Sequence, residues 1–113
     1  PDGKTPHEMI FKGAPLLDWE MDIAWVIRGG ADPVKLIRKY AGNITAAHIK
    51  DIAPKGKNAD EDGWADVGHG TVDWKPIMAA LKKTRVRHFV LEHDKPADTK
   101  RFAERSFVAA SKL

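Results

Sequence analysis

Residues 44–51 read Ile44-Thr45-Ala46-Ala47-His48-Ile49-Lys50-Asp51. Residues 44–49 are short, apolar and β-branched at several places, which predicts a strand with His48 near its C-terminal end. Just upstream, Asp32-Pro33 opens a helix: a capping carboxylate is followed by proline at the first helical position. Val34, Ile37 and Ala41 keep helical spacing, and Gly42 supplies the stop. Further upstream, residues 16–22 form a second strand candidate bounded by Pro15, with Asp22 at its end. Ahead of it, Thr5-Pro6-His7-Glu8 has the composition of a capped helix start, and Gly13 breaks the apolar stretch that follows.

Downstream of His48 comes a long polar stretch, residues 50–71, rich in Gly, Asp and Lys. A loop of that length inside a compact domain is expected to be functional or disordered. It runs into Gly68-His69-Gly70-Thr71-Val72-Asp73-Trp74, where Asp73 can cap a helix. Trp74, Ile77, Met78 and Leu81 then share one apolar face, which places Trp74 in the core. Residues 87–91 are the third strand candidate, closed by Glu92 and turned by His93-Asp94-Lys95-Pro96. The last helix is expected over about residues 98–112, with Phe102, Ala103, Phe107, Ala110 and Leu113 on its buried face.

Strands that alternate with helices in this order imply parallel βαβ units, hence an α/β fold. Each strand closes on an ionisable residue: Asp22, His48 and Glu92. Ligands bind at the strand ends of parallel α/β folds. Neighbouring strands lie about 4.8 Å apart, so the three side chains can converge on one ion. Two carboxylates and an imidazole suit Mn²⁺, Mg²⁺, Co²⁺ or Zn²⁺. Taken singly, each has a plainer role. Asp22 can cap a turn, His48 can sit satisfied in a core, and Glu92 can pair with a nearby base.

The bulk properties exclude other classes. The net charge is +3 and the basic residues are scattered without a run of five, so no nucleic-acid footprint is expected. There is no cysteine, which rules out disulfides and thiolate metal sites and suits a cytoplasmic, reducing compartment. No apolar run is long enough to cross a bilayer. The chain begins at Pro1 without an initiator methionine, so the natural N-terminus is expected to lie upstream.

Four stretches carry a family resemblance. Residues 17–25 (LDWEMDIAW), followed by Gly30-Ala31-Asp32-Pro33, resemble the "eLD-x-x-W … GxDP" segment of sugar phosphate isomerase/epimerases. Ala47-His48-Ile49-Lys50-Asp51 resembles their "HxKD" strand, and residues 67–74 (VGHGTVDW) resemble their "GxG-x-[IV]-D-[WF]" loop. Phe89-Val90-Leu91-Glu92-His93-Asp94 resembles their final "vEhD" strand. The segments come in family order and cover nearly the whole chain.

The resemblance implies a xylose-isomerase-like TIM (β/α)8 barrel with a divalent metal at its C-terminal rim. Asp22, His48 and Glu92 match three of the family's four ligands, and the first Glu has no counterpart. A barrel needs about 250 residues. Residues 1–113 are therefore expected to be the last three βα units, preceded by one helix, with the N-terminal part of the barrel absent. The implied chemistry moves a proton next to a sugar carbonyl through an enediolate, with Glu92 as one acid–base group and a sugar or sugar phosphate as substrate. Trp25, Lys50, Asp51 and His69 are the expected substrate contacts, and Trp64 could close over a ligand.

Three alternatives stand beside this one. A dehydratase or lyase acting on a keto-inositol or 3-keto-sugar would start with the same proton abstraction. The isolated segment could be inactive, and could self-associate through open sheet edges. An AP endonuclease is disfavoured, because the histidines its zinc cluster needs are replaced by Trp25 and, in Asp62-Gly63-Trp64, by Trp64.

Overall fold

The structure, a computed structural model, describes Gly3 and residues 5–113. Helix α1, Pro6–Gly13, starts in a complete capping box: the Glu8 N–H donates to Thr5 Oγ1 and the Thr5 N–H to Glu8 Oε2. Lys39 donates to the same carboxylate at 2.6 Å and, with the Thr5 amide, holds Glu8 down to about 2. Strand β1 is Trp19–Asp22, and helix α2, Ile23–Arg28, follows it without a gap. Helix α3 is Pro33–Lys39, capped by Asp32, and strand β2 is Ile44–Ile49.

The first strand is shorter than residues 16–22. Leu16 is 93% exposed in a turn, and Asn43 Nδ2 donates to the Pro15 and Leu17 carbonyls. Those carbonyls find a side-chain donor because β2 begins only at Ile44, and Trp19 N–H is the first to reach across, to Asn43 O.

After β2 the chain makes a small antiparallel hairpin, β3 (Asp51–Ile52) with β4 (Trp64–Ala65), around one 3-10 turn at Ala59–Glu61. Helix α4 is Trp74–Leu81, strand β5 is His88–Leu91, and helix α5 is Thr99–Ala110. Asp73 stands at the start of α4 but makes no side-chain cap, whereas Asp98 caps α5 through the Arg101 N–H. Among the described residues no helix is long and apolar enough to cross a membrane.

The main sheet has the order β1-β2-β5, all parallel. This is the α/β arrangement expected from the strand–helix alternation, here as a three-stranded open sheet. Met21, Ala47 and Ile49 point to one face, where Ile37 of α3 and Ile77, Met78 and Leu81 of α4 cover them. Side chains alternate along a strand. Glu20, Asp22, Ala46 and His48 therefore occupy the opposite face, where each is at least partly exposed.

Two expectations are corrected. Residues 50–71 are neither disordered nor a free loop. Asp51 is fully buried and gathers the segment: its carboxylate accepts from the N–H groups of Ile52, Gly68 and Val72 and from Trp74 Nε1, at 2.8–3.1 Å. At Gly70 a Cβ would stand 2.1 Å from Asp51 Oδ1, so only glycine passes there.

The second correction concerns part of the α5 face: Phe102, Ala110 and Leu113 are half-buried as expected, but Ala103 and Phe107 are exposed. Phe107 is 68% exposed, while Ser106 is fully buried and its Oγ accepts from the Val67 N–H at 3.0 Å. Small residues face the loop because the backbone comes very near: a Cβ at Gly68 would meet Ala109 Cβ at 2.7 Å. A ring at position 106 would not fit, so the helix turns its small side inward.

Charge completes that seam. Arg101 donates to Glu61 Oε1 at 2.6 Å and to both oxygens of Asp66, and Arg105 reaches Asp66 Oδ2 at 3.0 Å. Both carboxylates are buried, and removing the guanidinium leaves Glu61 with only the Ala97 N–H and Asp66 with only Arg105. Arg101→Ala is expected to cost about 3 kcal/mol in urea unfolding at neutral pH. The Arg101 guanidinium holds Glu61 below its ordinary value of 4.5. That stabilisation is present above 4.5 and is lost as pH falls through the lower folded value, so the difference between the two proteins should shrink on acidification. A difference that stays constant or grows in acid would contradict the assignment.

Candidate metal centre

The polar face of the sheet carries the site. In the ladder Asp22 is level with His48, and His48 with Val90, so Glu92 lies two residues beyond on the same face. Asp22 ends β1 and also caps α2: its Oδ1 accepts from the Trp25 N–H at 2.9 Å. That contact leaves Oδ2 to face His48 Nδ1, 3.5 Å away. Glu92 follows β5, its N–H directed at the Ile49 carbonyl, and its Oε2 lies 3.1 Å from the same His48 nitrogen. One donor atom from each of Asp22, His48 and Glu92 lies within 4.8 Å of the others.

Lys50 is buried beneath this cluster, with none of its side chain exposed. Its ammonium lies 3.3 Å from Glu92 Oε2 and 3.9 Å from Asp22 Oδ2, and it bonds closely to Asp94 Oδ2. The Trp64 ring covers it, 4.0 Å from Nζ to the centroid, and the Trp25 ring flanks it at 5.4 Å. Two residues past His48, Lys50 shares its face, and the indoles keep water from a cation that the carboxylates neutralise.

Burial works against charge on His48, but Glu20, Glu92 and Asp22 together outweigh it and hold the imidazole above its usual value. Burial and the neighbouring Asp94 push Glu92 up, with Lys50 pulling the other way. Burial also opposes charge on Asp94, yet its bonds to Lys50 and Glu92 prevail and lower it. His93 is buried against Phe102, accepts the Lys95 N–H on Nδ1, and is held below its usual value by that burial.

The other expected contacts divide. Lys50 is in the cluster, and Trp25, 53% exposed, stands beside it with its edge on Trp64. Asp51 is not: adjacent to Lys50, it faces the opposite way and its carboxylate is occupied by the loop. His69 is not there either, being exposed beside Glu104 and Arg105 of α5. Trp64 is buried under Arg28, whose guanidinium carbon is 3.1 Å from the ring centroid, so it is a wall rather than a moving cover.

Sequence reading missed Glu20, whose Oε1 is 2.7 Å from His48 Nε2. The signal was available: Glu20 is two residues before Asp22 in the same strand and must share its face. Glu20, Asp22 and Trp25 line one cleft with His7, Trp19 and Leu36.

The chain matches no family model and no curated protein. The chemistry of the site therefore rests on its own geometry. Ligand atoms about 2.1 Å from one ion, at octahedral right angles, stand about 3 Å apart. The separations at His48 Nδ1 are 3.1 Å to Glu92 Oε2 and 3.5 Å to Asp22 Oδ2, so the ligand atoms would draw somewhat closer around an ion. The donor set of two carboxylate oxygens and one imidazole nitrogen suits Mn²⁺, Mg²⁺, Co²⁺ or Zn²⁺.

Proposed function

We propose that this chain forms part of a TIM-barrel sugar isomerase/epimerase, and that Asp22, His48 and Glu92 bind its divalent ion. The observation that carries the reading is the convergence of three ligand-type side chains, one from each strand end, on one face of a parallel sheet. Three strands cannot close a barrel. The proposal therefore includes further parallel strands beside β1 and β5, whose outer edges are unpaired among the described residues.

When bound, the ion supplies Lewis-acid stabilisation of negative charge on oxygen next to the reacting carbon. Asp22 and His48 hold position. Glu92 moves the proton next to the sugar carbonyl. Its side chain is 29% exposed, so substrate can reach it, while Lys50 and Asp94 fix its orientation from below. Trp25 offers an exposed aromatic wall to the C–H face of a sugar. The pair of Trp25 and Trp64 at the expected histidine positions disfavours a trinuclear zinc hydrolase.

The test is isotope exchange in the intact protein. With Mn²⁺ present in D₂O, one member of a panel of ketoses, aldoses and their phosphates should gain deuterium at its α-carbon, read by mass spectrometry. Glu92→Gln should slow that exchange by roughly 10²–10⁴-fold, the range of general-base contributions. A panel without any exchange while Mn²⁺ is bound would remove the isomerase/epimerase reading and leave a metal site.

A further inference from the structure

We propose that Glu20 decides which nitrogen of His48 meets the ion: it takes the Nε2–H bond and leaves the Nδ1 lone pair for coordination. This rests on the metal-centre reading above. An ionised carboxylate only accepts hydrogen bonds. Glu20 Oε1 is 2.7 Å from Nε2 and Glu92 Oε2 is 3.1 Å from Nδ1, so without an ion each carboxylate accepts from a hydrogen on the nitrogen it faces. An ion that enters between Glu92 and Asp22 replaces the hydrogen on Nδ1, while Glu20 keeps the one on Nε2, so Nδ1 is the nitrogen whose lone pair coordinates. Nδ1 is also the nitrogen that faces the ligand oxygens, 3.1 Å from Glu92 Oε2 and 3.5 Å from Asp22 Oδ2. Both conditions for coordination through Nδ1 are thus met by one ring orientation.

The backbone makes the arrangement hard to avoid. Glu20 is level with Ala46 and Asp22 with His48, so the imidazole lies over the side of β1 that carries both carboxylates. Alanine at 46 leaves the ring free to lean back toward Glu20. Asp22 and Glu20 then clasp opposite edges of one imidazole. Glu20 is itself largely exposed and has no role in the core. It is a positioning residue: it touches the ring, not the ion. A carboxylate behind a ligating histidine fixes the tautomer and raises the basicity of the nitrogen in front.

The experiment uses the intact protein loaded with Zn²⁺, which is diamagnetic. Long-range ¹H–¹⁵N NMR should show His48 with a protonated Nε2 and a metal-bound Nδ1. Glu20→Ala should weaken Zn²⁺ binding about 10–100-fold by calorimetry, the cost of losing such a partner. Glu20→Gln should lose less, because its amide oxygen still accepts from Nε2–H; being isosteric, it also serves if alanine perturbs the fold. Coordination through Nε2, or unchanged affinity and an unchanged His48 pattern in Glu20→Ala, overturns this inference and leaves the metal site standing. A parent protein that takes up no Zn²⁺ overturns both.

Discussion

Alanine at His48 is expected to weaken Mn²⁺, Co²⁺ or Zn²⁺ binding by at least about a hundredfold, the upper end of what loss of a mere supporting partner costs. The imidazole is the hub of the site. Its Nδ1 is the atom nearest to both ligand oxygens, and no neighbouring nitrogen can replace it, since the Lys50 ammonium has no lone pair to give. Without the ring, Asp22 and Glu92 keep only Lys50 as a shared cation, and a divalent ion would compete with that ammonium using two ligands. The pH dependence follows. The three carboxylates hold His48 above its usual 6.5. In the absence of an ion its stabilising charge is fully present below 6.5 and is lost as pH rises through the folded value. An ion must displace the Nδ1 proton, so affinity in the parent should rise with pH across the same window. Calorimetry at two pH values on parent and variant checks this. Equal affinity in both proteins would take His48 out of the site.

The second large effect falls on stability. Asp51→Ala is expected to lower the unfolding free energy by roughly 3–5 kcal/mol, since each buried donor left unsatisfied costs about 1–3 kcal/mol. Three donors from other parts of the chain are stranded: Gly68 N–H, Val72 N–H and Trp74 Nε1. They belong to the loop and to the start of α4, so the loss spreads from the hairpin into the core around Trp74. Against a typical total of about 5–15 kcal/mol, this is enough to leave the variant partly unfolded near physiological temperature. Asp51→Asn keeps one acceptor oxygen and should lose about half as much. Urea unfolding followed by tryptophan fluorescence reads the change directly. A loss under about 1 kcal/mol would show that water replaces the carboxylate, and that Asp51 is not the anchor.

Asp51 and its neighbour Lys50 show where sequence reading stops. Asp51 and Lys50 look alike in the chain, as adjacent charges at the start of a polar stretch. Strand alternation sends them to opposite faces. Lys50 joins the cluster under Trp64, and Asp51 disappears into the hairpin. Placing both at a substrate site could not be right, because neighbouring side chains on an extended backbone point apart. His69 fails for a different reason. The turn around it is drawn toward α5 by close packing at Gly68, which depends on Ala109, about forty residues away. On α5, Phe107 was misplaced and Ser106 passed over because helical periodicity ranks residues by hydrophobicity, whereas this contact selects for smallness.

Local chemistry determined a good deal. Thr5 and Asp32 announce helix starts and cap as their spacing requires, whereas Asp73, read in the same way, makes no side-chain cap. The strand at residues 44–49 is readable to the residue, and the alternation of strands and helices dictates a parallel sheet. That order also places Asp22, His48 and Glu92 at strand ends, because all three are set by contacts within a few residues or by the two-residue repeat. Only the tertiary structure decided how far each strand runs, which nitrogen of His48 faces its neighbours, and which charges are buried. Those outcomes depend on partners far along the chain, such as Asn43 against Pro15, Glu20 against His48, and Trp64 over Lys50. No local pattern encodes such pairs, since each exists only once the sheet has brought its strands into register.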